Sequence, residues 1–265
     1  MALAVPSSLA LSLHDAVALS GRFPLLAGVD LEVATGETVL IEGPNGAGKT
    51  SLLRLCAGLV APASGRVAVL GLDPVRHRTA LRRRVGFLAH ASHLYDDLTV
   101  RENVRFAVRA AGGSTDRIPA ACERLGLVGR LLRTSASKLS AGQRRRVALA
   151  VLVARSPELW LLDEPHAGLD ASARTLLGEL ISEASAGGAT VVVASHEANL
   201  VEPLAHRAVT ITGGRVTSQR IIRPVSEPVE EPAIEPVIDL VTAPTPAPDE
   251  APTPAPDEGS VIHVA

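Results

Sequence analysis

Residues 43–51 read GPNGAGKTS, and the rest of the chain is read from this stretch. Its spacing is G-x-x-x-x-G-K-[ST], and it stands between an apolar β-rich run at 38–42 and a helical stretch at 49–59. Strand, glycine-rich loop and helix follow in the order that a phosphate cradle requires. Gly46 and Gly48 allow the backbone to curl until successive N–H groups face an anion, and the helix N-terminus adds its dipole. The spacing nominates Gly43, Pro44, Asn45, Gly46, Ala47, Gly48, Lys49, Thr50 and Ser51 as nucleotide-binding residues. Lys49 is placed to reach the β- and γ-phosphates of ATP, and Thr50 to put a hydroxyl on Mg2+. A glycine turn followed by a chance Lys-Thr is the bland alternative, and the flanking strand and helix disfavour it.

A second segment, LWLLDEP at 159–165, supplies carboxylates. Four apolar residues predict a buried strand that ends in Asp163 and Glu164. Asp163 is placed to hold Mg2+, directly or through water, and Glu164 to orient or deprotonate an attacking water. A third segment, SKLSAGQRRRVAL at 137–149, poses a problem. Ser140 and Gln143 ahead of an apolar run form a capping box. Arg144, Arg145 and Arg146 then load the positive end of the helix dipole, at roughly 0.3–1 kcal/mol per misplaced exposed charge. Either carboxylates of the same domain absorb that charge, or this helix end faces an anion.

Around these segments the chain alternates strand and helix patterns. Strands are expected at 38–42, 66–70, 84–88, 158–162, 190–195 and 208–212, several of them apolar on both faces as in a buried α/β sheet. Helices are expected at 49–59, 100–111, 117–125, 141–155 and 171–186, and the region from about 95 to 140 reads as a helical subdomain. With 46% hydrophobic but only 2% aromatic residues, the core must be aliphatic. The formal charge of -2 conceals an asymmetry: nine of the 28 acidic residues and no Lys or Arg follow Arg223. Residues 1–223 therefore carry 26 basic against 19 acidic side chains, a formal +7 that suits an anionic ligand. From Pro224 the composition turns to Pro and Glu, with APTPAPDE in tandem at 243–250 and 251–258, so 224–265 is expected to be a disordered acidic tail. Cys56 and Cys122 match no metal spacing. No apolar run approaches the ~18 residues of a membrane span, and the N-terminus lacks a basic n-region. The chain is expected to be cytoplasmic, with any membrane role supplied by a partner.

LSAGQ begins 96 residues after Gly43, and the Asp-Glu pair follows Gln143 by 20. In that order the motifs make residues 8–223 resemble the ATP-binding-cassette ATPases. The resemblance implies a P-loop NTPase core of mixed α/β class, with a β-rich N-terminal part and a helical subdomain. It implies Mg-dependent ATP hydrolysis by two domains paired head to tail, each nucleotide lying between one phosphate loop and the other domain's signature helix. Ser140 and the Gly142 amide, with Gln143 beside them, would then meet the γ-phosphate bound to the opposite subunit. Asp170 of AGLD would face the dimer partner, and His196 of VVVASHE would contact the γ-phosphate. His90 stands where the family usually has a Gln that touches magnesium and relays to the membrane subunit. Ser20 fills the slot of the usual adenine-stacking aromatic, with Phe23 three residues on as a candidate substitute.

The stretch IEGPNGAGKTSLLRLCAGL, His90 for Gln, the Ser-Ala-Gly-Gln signature and Trp160 together look like the haem-exporting branch of cytochrome c biogenesis, in a form with 24 Arg against 2 Lys. That branch implies a separate transmembrane permease, a homodimer of this subunit and a place on the inner face of the cell membrane. Its pattern does not include the acidic tail. Export of a drug, peptide or lipid is the alternative. A soluble factor for translation or DNA repair fits less well, because such members carry two cassettes or a long coiled-coil insertion. No nucleic-acid partner is therefore expected. The joint presence of Lys49, Asp163, Glu164 and His196 disfavours an inactive regulatory cassette.

Overall fold

Runs such as LWLLD and TVVVA are too short for helices and too apolar for a half-exposed sheet, and they form the centre of the molecule. The structure, a computed structural model, describes residues 9–223, so the expected tail at 224–265 lies outside the described residues. In chain order the strands are β1 (Leu9–Ser20), β2 (Phe23–Ala34), β3 (Thr38–Glu42), β4 (Ser64–Val69), β5 (Val85–Leu88), β6 (Leu159–Asp163), β7 (Thr190–Ala194), β8 (Arg207–Thr212) and β9 (Arg215–Ile221). The helices are α1 (Lys49–Cys56), α2 (Arg78–Arg84), α3 (Val100–Ala110), α4 (Ile118–Arg124), α5 (Ala141–Arg155), α6 (Ala171–Ala186) and α7 (Ala198–Val201). A six-stranded sheet has the order β5-β6-β7-β3-β8-β9, parallel except for β9, and a three-stranded antiparallel sheet has the order β2-β1-β4.

The parallel strands divide their side chains strictly by alternation. Val39, Ile41, Leu159, Leu161, Val192 and Ala194 enter one core, where they meet α1 and the inner faces of β1 and β2. Leu40, Trp160, Leu162, Val191 and Val193 enter another, which they share with α3, α4, α5 and α6. In-register pairs such as Val39 with Val192 and Leu40 with Val193 keep the two sets apart. Trp160 donates its ring N–H to the Pro157 carbonyl at 3.1 Å, so it serves the core.

Several elements differ from the sequence expectations. Helix α1 stops at Cys56 rather than at 59, because Gly58 takes φ +69 and the Leu59 and Val60 amides turn back onto the Arg54 carbonyl. Helix α2 was not anticipated, since Leu81 is its one buried residue and leaves no apolar stripe. Strand β9 was also not anticipated: it is a polar edge strand, defined by pairing with β8. Between 95 and 140 the chain forms α3, α4 and two short 3-10 turns, Leu131–Arg133 and Ala136–Lys138. Among the described residues, no helix is long and apolar enough to cross a membrane.

Candidate nucleotide-binding site

The segments that follow β3, β5, β6 and β7, each at the carboxyl end of a parallel strand, meet at one place. The loop after β3 runs into α1 and forms one wall of a cleft of about 500 Å3. Asn45, Gly46, Ala47, Gly48, Lys49, Thr50 and Ser51 line it, and Pro24, Leu25, His90, Glu164 and His196 complete it. Gly48 caps α1 at φ 110, and a Cβ there would lie 3.0 Å from the Leu25 carbonyl oxygen. Only glycine accepts both constraints. Gly43 and Pro44 do not line the cleft; their carbonyls accept from the Lys49 ammonium at 2.7 and 3.3 Å. Among the described residues that nearly buried cation has carbonyl partners and no carboxylate, so it can serve an added anion.

The Thr50 hydroxyl lies 3.0 Å from each oxygen of the Asp163 carboxylate, and Asp163 is buried. Such a hard, all-oxygen pair at the foot of a phosphate cradle fits Mg2+. The next residue, Glu164, has a left-handed backbone at φ 47, rare for a residue with a side chain. One carboxylate oxygen lies 2.8 Å from His196 Nδ1, and the other accepts from the His196 amide at 3.1 Å. The expected catalytic residues Lys49, Glu164 and His196 thus share one cleft with the expected binding residues Thr50 and His90.

The signature residues lie elsewhere. Ser140 caps α5 in a full capping box, its hydroxyl accepting from the Gln143 amide at 3.2 Å while Gln143 Oε1 accepts from the Ser140 amide at 3.0 Å. Ser140, Gly142, Gln143 and Asp170 do not line the cleft. Asp170 caps α6, and the Ala173 amide, then the Ser172 hydroxyl, hold its carboxyl below the usual carboxylate range. Two of the three arginines answer to acids of their own domain: Arg144 to Asp96 at 2.7 Å and Arg146 to Asp170 at 2.9 Å.

Sequence reasoning missed Arg145, which is 2% exposed and inserts among backbone carbonyls behind the site. Burial pulls its guanidinium pKa down, and the charges of Asp163 and Glu164 oppose that shift. It also missed Pro24 and Leu25 as cleft residues. Phe23 is 78% exposed, directly opposite Ser20 in the β1–β2 register and next to Pro24, so the ring stands across the hairpin from the expected slot.

The ABC transporter family model matches residues 26–167. The cytochrome c biogenesis ATP-binding export protein CcmA of Rhodopseudomonas palustris is 43% identical over 170 residues, covering 64% of this chain and 82% of that protein. The sulfate/thiosulfate import ATP-binding protein CysA of Caulobacter vibrioides is 39% identical over 208 residues, covering 74% of this chain and 60% of that protein. Among solved structures, a dimeric ATP-binding cassette in a post-hydrolysis state with ADP and Pi is 27% identical. It superposes with a TM-score of 0.72 over 81% of this chain and 100% of that one.

Proposed function

The chain belongs to the ABC transporter family of ATP-binding subunits, and from that premise we propose that it powers haem export for cytochrome c biogenesis. Members of this family couple ATP hydrolysis to transport through membrane permease subunits. The observation that carries the catalytic reading is the convergence of Lys49, Thr50, Glu164 and His196 on one cleft. Lys49 would exchange the carbonyls of Gly43 and Pro44 for phosphate oxygens. Thr50 and Asp163 would hold Mg2+, which when bound would supply charge neutralisation to the phosphates. Glu164 would orient the attacking water and accept its proton. His196 holds the Glu164 carboxylate with one ring nitrogen, leaving the other for the γ-phosphate. Phe23 would stack on adenine, and His90 would stand in for the relay glutamine.

Ser140, Gly142, Gln143 and Asp170 lie outside their own cleft, which supports a head-to-tail homodimer that seats each signature helix on the partner's nucleotide. The assembly would sit on the cytoplasmic face of the membrane through a separate permease, with no nucleic acid. Residues 1–223 would form the working domain and 224–265 an appended acidic tail.

The haem assignment rests on similarity to CcmA proteins of several organisms at 37–43% identity. Deleting the gene in the cell that makes this chain tests it. Holocytochrome c should disappear while its apoprotein is still synthesised, and sulfate uptake should be unchanged. Normal holocytochrome c would sink the haem reading and leave the ATPase reading standing.

A further inference from the structure

A helix advances about 100° per residue, so three successive side chains project in three different directions, and one of the three arginines is buried. In α5 that residue is Arg145, on the face that also buries Leu149 and Leu152. It makes no ion pair within the described residues. Its partners are backbone carbonyls from two strand ends. From the segment after β5 come Ala89 at 2.6 Å and His90 at 3.3 Å; from the end of β6 come Asp163 at 3.1 Å, Glu164 by a short bond and Pro165 at 3.2 Å. All three guanidinium nitrogens are engaged.

We propose that Arg145 is a positioning residue that couples the two nucleotide sites of the dimer, carrying movement at the N-terminus of α5 to Glu164 and His90 of its own site. The proposal rests on the head-to-tail ATPase reading given above. Ser140, the residue that would meet the partner's nucleotide, caps the same helix five residues earlier, about 7.5 Å along its axis. One stiff helical turn and a half therefore separates the partner's phosphate from the guanidinium. A guanidinium is a rigid planar fork, so the carbonyls that it clamps move with the helix as one body. A buried cation without a counter-ion holds those carbonyls firmly, because losing them leaves the charge unsolvated. The clamp also closes on a sensitive point. Glu164 has a left-handed backbone that persists only where its surroundings over-determine it, and here its amide is fixed by the Ala194 carbonyl at 2.8 Å and its carbonyl by Arg145. Arg144 and Arg146 pair instead with solvent-facing carboxylates and reach neither strand end.

The test compares the full-length chain with Arg145→Lys, which keeps the charge but has one donor atom, and Arg145→Gln. ATP hydrolysis is measured against ATP concentration, with nucleotide affinity and melting temperature recorded alongside. The parent should hydrolyse ATP cooperatively. Both variants should keep the parental ATP affinity within about twofold, lose at least tenfold in kcat and show a Hill coefficient close to 1. A kcat within twofold of the parent with its cooperativity retained overturns the proposal, as does a kcat that falls while cooperativity is untouched. If neither variant folds, hydrogen exchange of the parent decides. ATP-driven pairing should protect the amides of residues 89–90 and 163–164 together, and independent protection of the two segments overturns the coupling. An inactive parent sinks the ATPase reading itself, which separates the two failures.

Discussion

Replacing Glu164 by Gln separates chemistry from folding with unusual clarity at this site. The carboxylate is 16% exposed and makes three sets of contacts, to the His196 amide, to His196 Nδ1 and, at 3.4 Å, to the Ser195 hydroxyl, which a glutamine can still meet with either amide group. A glutamine oxygen can keep the first, and its NH2 can face the ring nitrogen once the imidazole offers a lone pair. The structural loss is therefore at most one ordinary hydrogen bond, about 1 kcal/mol. The chemical loss is the general base, worth roughly 10²–10⁴ in rate, or about 3–5 kcal/mol in the barrier. Single-turnover phosphate release should fall by that factor, while ATP affinity and melting temperature stay near the parent values. ATP should then accumulate unhydrolysed in a dimer visible by size-exclusion chromatography. Residual turnover above a tenth of the parent rate, with the protein folded and ATP bound, would refute the assignment of Glu164 as base.

Three further outcomes are expected. Burial pushes the Cys56 thiol up to about 12 and raises that of Cys122 as well, so neither should react with a thiol reagent at pH 8 until the protein is denatured; rapid labelling of the folded chain counts against this packing. Burial also lowers the pKa of His206, whose Nδ1 accepts from the Thr38 amide at 2.9 Å, and that of His166. The unfolded chain binds these protons more readily, so their contribution is present above about pH 6.5 and lost as the pH falls below it. Melting temperature should drop between pH 7 and pH 5, and His206→Asn, whose oxygen can take the Thr38 amide, should flatten the slope; an unchanged slope excludes His206 as a source. Finally, the change of composition at Pro224 leads us to expect that residues 1–223 alone retain basal ATPase, and a large loss with folding intact would assign 224–265 a role in turnover.

The features that were legible in the sequence are those written in contiguous residues. GPNGAGKTS, LWLLDEP and LSAGQ each encode a turn, a strand end or a cap through local backbone chemistry, and the structure brings the first two to one cleft. What was missed depends on rotation or on pairing between distant segments. Nothing in RRR says which arginine faces inward until α5 is seen with Arg145 turned onto the ends of two strands. Strand β9 is almost wholly exposed and owes its existence to the register with β8. Phe23 could be named as a substitute for Ser20, but that the two stand opposite each other becomes visible only in the hairpin.

The alternation of the central strands bears on how this protein can be varied. Val192 and Val193 are bonded neighbours, yet each is packed into a different core, with the sheet backbone between them. Substitutions more than about 7–10 Å apart with no shared partners combine additively to within about 0.3–0.5 kcal/mol. A library that randomises α3 and α4 can therefore be screened without re-optimising the half around α1, whereas bonded pairs such as Val192 and Val193 share a backbone and are varied together. The same separation lets inherited changes accumulate on α3 and α4 while the phosphate loop keeps its geometry, but not at Arg145 of α5, which holds the strand ends that carry His90 and Glu164.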